Sequence, residues 1–193
     1  MDSLFGKSKR KPGGVLVLYT TRHGATQRYA ERIAAPLDAL VKDAAYARIA
    51  DAKTYDAIVL GCCVYAGKLK GLDFLEQHAG ELADKRLVIF TCGLNDPAQE
   101  DVRAGLDAQI DKALGGVRAS VFHLRGALRW KSLGLLERMM MSALVSQIRR
   151  KPEAERSQTD RQFLEAAGGT IDYSDEAELE PIIRAARGGE ETA

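Results

Sequence analysis

Seven consecutive residues, Thr20, Thr21, Arg22, His23, Gly24, Ala25 and Thr26, gather three hydroxyls, a guanidinium and an imidazole directly behind the apolar run "VLVLYT" at 15–20. A helical pattern begins at Ala25. A strand that stops at a polar loop and restarts at once as a helix turns free backbone N–H groups, and the positive end of the helix dipole, into one concavity. Such a concavity holds an anion. The threonines add hydroxyl donors, and Gly24 permits close backbone approach or an unusual dihedral. A triphosphate site would want GxxxxGK[ST] and a dinucleotide site GxGxxG, and the chain has neither. A single phosphate monoester bound by neutral donors fits better. The plain alternative is an N-cap without ligand, Thr21 or Thr26 satisfying the first turn. His23 either offers an N–H to the anion or points to solvent.

Two further loops carry residues of interest. "GCCVYAGKLKG" at 61–71 has Tyr65 as its only aromatic, and "TCGLNDPAQ" at 91–99 has none. Cys62, Cys63 and Cys92 fall near strand ends, where a free cysteine most often serves as a small buried apolar residue. No cysteine pattern suggests a metal, no paired carboxylates or Ser/His/Asp order suggest hydrolysis, and His23, His78 and His123 are scattered. No catalytic residue is assigned.

These loops need elements to position them. Apolar runs at 15–20, 55–64, 86–92 and 117–124 are continuous rather than alternating, which suits strands covered on both faces and hence a parallel sheet. Segments at 25–43, 70–84 and 97–116 space apolar residues three or four apart and predict amphipathic crossover helices. A short strand near Ala45–Ile49 completes five. The expectation is a doubly wound α/β domain at 15–187, with ligands beyond the carboxyl ends of the strands, so the loops after residues 20, 64 and 92 share one site. Past residue 124 the alternation breaks into a long detour, about 125–168, read as an insertion that splits or extends the final strand. "TIDYSD" and a last helix follow.

The formal charge of +1 conceals an acidic body with two basic patches. One is the leader at 1–14 (Lys7, Lys9, Arg10, Lys11), expected to be mobile. The other is 125–151, where Arg125, Arg129, Lys131, Arg138, Arg149, Arg150 and Lys151 face only Glu137. Basic patches attract phosphates, carboxylates or anionic membranes; no nucleic-acid partner is expected. Within this patch "LGLLERMMMSALVSQI" at 133–148 is apolar over most of a helical wheel, yet too short and too charged to span a bilayer. It reads as a core helix with a solvated arginine rim, as a hydrophobic wall for a large planar ligand, or as both on different faces, with peripheral membrane contact through 133–151 a further use. Three cysteines, two of them adjacent, make a poor disulfide framework, so a cytoplasmic location is expected. The end at 188–193 reads as a tail.

"TRHGAT" after the first strand is similar to the phosphate loop of flavodoxins, a Ser/Thr-rich turn ending in G-x-T. "FHLRGALRW" and "LLERMMM", with "IDYSD" beyond them, resemble the flavodoxin-domain family that includes the bacterial quinone-linked protoporphyrinogen IX dehydrogenase. The resemblance covers about residues 15–187. It implies a flavodoxin-like five-stranded parallel sheet of order 2-1-3-4-5 with a helical insertion at the last strand, and FMN as cofactor. The phosphate would sit in residues 20–26. The ring would lie between Val64, Tyr65, Ala66 and Gly67 on one side and Thr91, Cys92, Gly93, Leu94 and Asn95 on the other, stacking on Tyr65 unless that is merely a half-buried loop residue. The resemblance also implies oxidation of protoporphyrinogen IX with a quinone as acceptor, Arg125, Arg129 and Trp130 meeting the substrate. Simple flavodoxins place threonine where His23 stands and aromatics on both ring walls. The missing aromatic in the second loop means either weaker FMN binding or room for a second planar molecule. Electron transfer to a docked protein partner, and a flavin-free binding module, are the competing functions.

Overall fold

The computed structural model describes residues 14–165 and 167–189. Apart from Gly14, the expected leader at 1–14 lies outside the described residues, as do 190–193 of the expected tail. In chain order the elements are β1 (Val15–Tyr19), α1 (Ala25–Ala34), β2 (Leu40–Asp43), α2 (Ile49–Ala52), β3 (Ala57–Tyr65), β4 (Lys68–Lys70), α3 (Asp73–His78), β5 (Arg86–Gly93), α4 (Glu100–Leu114) and β6 (Ser120–Arg125). Then come β7 (Ala127–Arg129), α5 (Leu135–Arg150), α6 (Gln158–Glu165), β8 (Thr170–Asp172) and α7 (Leu179–Arg187).

The five parallel strands stand in the order β2-β1-β3-β5-β6, which is 2-1-3-4-5 counting parallel strands alone. Alternate residues of each strand feed opposite faces. Leu16, Leu18, Ile58, Leu60 and Ile89 pack under α3 and α4, while Val17, Val59, Val88 and Phe90 pack under α1 and α7 with Ile33 and Ile182. Burial on both faces is why the runs are unbroken by polar residues. Each such side chain contributes about 1.5–3 kcal/mol by leaving water. The chain reverses direction across the sheet between β1 and β3, so the loops leaving their carboxyl ends part and open a crevice.

Three details depart from the sequence expectation. The first helix does not run through 25–43. It stops at Ala34, and Pro36 and Asp38, the latter at φ 48°, turn the chain so that Leu40–Asp43 pairs with β1 as the second strand. Proline lacks the N–H and its ring clashes with the preceding turn, which ends α-helix there. Residues 45–49, expected to be that strand, instead run from a 3₁₀ turn, Ala44–Tyr46, into the start of α2 at Ile49; Asp43 caps the turn by accepting from the Ala45 N–H at 2.9 Å. Third, β4 folds back antiparallel on β3 through a two-residue turn with Ala66 at φ 50° and Gly67 at φ 76°. Two positive φ angles are what a tight hairpin needs to match the strands' twist.

After β6 the chain turns at Gly126 and leaves the main sheet. β7 and β8 form their own antiparallel pair, Leu128 opposite Ile171, and the 40 residues between them fold as α5 and α6 over a small third core of Leu128, Leu133, Ile148, Phe163 and Ile171. Only Val145 and Ile148 of α5 are buried. Leu135, Leu136 and Met139 stand 80%, 68% and 63% exposed, so α5 is not a core helix. Among the described residues no helix is long and apolar enough to cross a membrane.

Candidate functional site

The crevice at the carboxyl ends of β1, β3, β5 and β6 holds a cavity of about 640 Å³. Its floor is the β1–α1 loop. Thr20 extends the sheet, its N–H donating to Gly61 O at 2.8 Å. The Gly24 N–H donates to Thr21 Oγ1 at 3.0 Å, closing the loop on itself, and Gly24 at φ 85° and ψ −10° starts α1. No side chain caps that helix. Its first-turn N–H groups have no carbonyl ahead of them in the helix, and Ala25 and Thr26 stand on the cavity wall. Thr21 thus meets the plain N-cap expectation only inside the loop; the helix end itself opens into the cavity.

Two strand-end loops form the side walls. Val64, Tyr65, Ala66 and Gly67 form one, and Thr91, Cys92, Gly93, Leu94 and Asn95 the other. They approach closely because Gly93 has no side chain: a Cβ there would meet Val64 at 2.9 Å. Gln109 of α4 pins the first wall, accepting from the Leu69 N–H at 3.0 Å and donating to Gly67 O at 3.2 Å. Arg22 lies with its guanidinium carbon 4.2 Å over the Tyr65 ring. The fourth wall comes from the insertion and is apolar: Leu128, Leu133, Met140, Met141, Leu144 and Phe163.

Glu137 on α5 was not foreseen at the site. It accepts from Arg22 Nε, lies 3.8 Å from His23 Nε2, and also takes the Gly134 N–H at 3.1 Å. The Arg22 guanidinium, and then the Gly134 N–H, hold its carboxyl below the usual carboxylate range. The ion pair is therefore present above that lowered pKa and is lost only as pH falls through it. His23 points at this carboxylate rather than freely to solvent. No sequence signal marked Glu137, which lies 115 residues from Arg22.

Of the expected site residues, Thr20, Gly24, Arg125, Arg129 and Trp130 do not form the cavity wall. Thr20 packs against Gly71, where a Cβ would meet its hydroxyl at 2.6 Å. Arg125 turns inward, donating to Leu94 O at 3.2 Å and lying 3.6 Å over the Tyr173 ring, so it braces the second wall from behind. Arg129 is exposed on β7, and Trp130 packs against the third core. His123, by contrast, does line the cavity.

The three cysteines are buried. Burial pushes the Cys92 thiol up to about 12 despite the neighbouring Thr26 hydroxyl, and raises Cys62 and Cys63 also. Thiols so raised supply little thiolate near neutrality. The site can therefore hold an anion at the helix terminus and a flat apolar group between its walls, but has no activated sulfur nucleophile.

No curated protein matches this chain. Among solved structures it is similar to a two-electron reduced flavodoxin of Megasphaera elsdenii, at 20% identity over 57% of this chain and 84% of that one, TM-score 0.41. It is similar also to the Trp repressor binding protein of Bacillus subtilis, at 16% over 57% and 81%, TM-score 0.45. A flavoprotein in complex with FMN from Lactobacillus acidophilus NCFM matches at 14% over 58% and 93%, TM-score 0.40. A family model for the flavodoxin domain matches residues 16–157, from within the first strand to beyond α5. A match of that extent shows that this chain belongs to the flavodoxin-domain family.

Proposed function

We propose that this chain is an FMN-dependent redox protein, with the FMN phosphate in the β1–α1 loop and the isoalloxazine ring between residues 64–67 and 91–95. The observation that carries this is the uncapped N-terminus of α1 opening into a cavity whose side walls are two strand-end loops. Bound FMN supplies electron transfer in units of one or two. The chain supplies the rest. Free first-turn N–H groups and the Thr26 hydroxyl would orient the phosphate, Arg22 would add positive charge and His23 a ring nitrogen beside it, and the apolar fourth wall would exclude water from the reacting edge. Tyr65 offers a stacking face once Arg22 moves off it.

The insertion favours an enzyme over a simple carrier, because its apolar wall extends the cavity beyond what a ring alone would fill. Oxidation of protoporphyrinogen IX, with electrons passed to a quinone, is the specific reaction suggested by the sequence resemblance. Since Arg125 is turned inward and Arg129 lies outside the cavity, the propionates of such a substrate would be met at the rim, by Arg129 or Arg138, rather than within. The exposed Leu135, Leu136 and Met139 beside Arg138 support peripheral contact with a membrane or a redox partner protein.

The purified protein is expected to show flavin absorption or to take up added FMN with quenching of its fluorescence; a colourless protein that does neither ends the redox assignment. Flavin-loaded protein mixed anaerobically with protoporphyrinogen IX and a quinone separates enzyme from carrier. Porphyrin fluorescence no faster than the uncatalysed background removes the specific reaction. Glu137 provides a finer check on the phosphate position. Its carboxylate neutralises the Arg22 guanidinium, so Glu137→Gln is expected to tighten FMN binding about twofold to fivefold at low salt, the scale of an exposed charge contact. The gain should fade at high ionic strength. Equal affinity of both proteins in low-salt titrations would separate Glu137 from the phosphate.

A further inference from the structure

His123 on β6 stands in register with Thr91 on β5. Its Nδ1 lies 2.9 Å from Thr91 Oγ1, and its Nε2 lies 2.9 Å from Asp107 Oδ1 on α4. The imidazole is 10% exposed and Asp107 is 44% exposed. Thr91 and His123 line the cavity, whereas Asp107 does not. A chain of hydrogen bonds therefore runs from the solvent side of α4 to the wall on which the flavin ring is placed. The ring is turned the opposite way from a Ser-His-Asp triad, in which Nε2 faces the hydroxyl, so nucleophilic attack by Thr91 is not its use.

We propose that Thr91, His123 and Asp107 form a proton-linked switch for the redox site; this rests on the FMN reading above. With Asp107 ionised, neutral His123 donates from Nε2 to the carboxylate, and its bare Nδ1 accepts the Thr91 hydroxyl hydrogen. Thr91 then shows the cavity only oxygen lone pairs. When His123 takes up a proton at Nδ1, that N–H donates to Thr91 Oγ1, and the hydroxyl hydrogen is free to turn toward the cavity as a donor. The balance suits a substrate that gives up two electrons and two protons. With FMN bound, the electron pair and one proton would go to the cofactor, the second proton would be taken up at His123, and Thr91 would offer a hydrogen bond from the cavity wall. Reoxidation by a two-electron acceptor returns the proton to solvent. Of the charged and titratable groups on the elements about the imidazole, α4 carries Glu100, Asp101, Arg103, Asp107, Asp111 and Lys112, β5 carries Arg86 and Cys92, and β6 carries Arg125. Asp107 is hydrogen-bonded to the ring.

The test measures the flavin midpoint potential against pH, by equilibration with redox dyes, for wild type, His123→Gln and Asp107→Asn loaded with FMN. An imidazole changes charge between about pH 5 and 8. The wild-type curve is expected to change slope within that range, and the His123→Gln curve to lack that break. In Asp107→Asn the break should move to lower pH, because the carboxylate favours the imidazolium. FMN affinity, measured first, separates the two proposals. If wild type does not bind FMN, the site assignment and the switch both go. If all three proteins bind it equally and their curves coincide, the switch alone is overturned. A merely structural role for His123 would alter affinity or melting without removing the pH break.

Discussion

Thr26→Val is expected to fold as the wild type does and to bind FMN about 5- to 150-fold more weakly, corresponding to the ~1–3 kcal/mol of a polar contact left unmade. Thr26 is the second residue of α1, only 1% exposed, with its hydroxyl beside the Cys92 thiol. Valine keeps the shape and deletes only the hydroxyl. A bulkier apolar residue would be the wrong test, because a buried position without spare volume answers overpacking with a loss of stability, typically of about 1–3 kcal/mol. That loss would be confused with weaker binding. Fluorescence titration gives the affinity and a thermal melt reports the fold. A valine variant that melts normally and binds FMN as tightly as wild type would place the phosphate away from α1.

The second large effect concerns the spacing of the two site walls. Gly61 of β3 lies in register with Phe90 of β5, and a Cβ on Gly61 would come within 2.3 Å of the Phe90 ring. Phe90 is fully buried, in edge-on contact with Tyr29 at 6.5 Å between ring centroids, so it has little room to give. Gly61→Ala is therefore expected to destabilise the fold by about 3 kcal/mol, the upper end for forced overpacking. Glycine to alanine in a strand would otherwise be mildly favourable. Urea unfolding should show a lower midpoint with an unchanged slope. Adding Phe90→Leu should recover part of the loss, since the two residues share one contact and their effects cannot be additive. A Gly61→Ala protein as stable as wild type would mean that β3 and β5 are not held at the spacing described. Residues 64–67 and 91–95 continue directly from these strands, so the packing of Phe90 over Gly61 lies just below the two walls.

The proton switch would have escaped any reading of the chain. His23, His78 and His123 carry no shared spacing, and only the pairing of β5 with β6 brings His123 against Thr91. The same holds for Glu137, whose partner Arg22 is brought to it by α5 folding back across the β1–α1 loop. The misplaced second strand has a different cause. Leu37, Leu40 and Val41 keep a helical spacing past the point where Pro36 forbids the helix, and periodicity over so short a window does not distinguish helix from strand. The resemblance points to Arg125 and Arg129 for the substrate, but neither it nor their charge says which way a side chain turns at a strand end.

By itself the sequence determined the doubly wound α/β layout and the polar glycine loop between the first strand and its helix. Both are local: unbroken apolar runs demand strands covered on two faces, and a polar glycine loop between strand and helix exposes N–H groups wherever the chain goes next. It determined equally the two loops, 64–67 and 91–95, that wall the cavity, because strand ends on one side of a parallel sheet must lie together. Only the tertiary structure decided what closes that cavity. The apolar wall from α5 and α6, the inward turn of Arg125, the Glu137 pairing with Arg22 and the chain from Asp107 to Thr91 all join residues far apart in sequence. Their side chains acquire partners only through packing, which no spacing along the chain encodes.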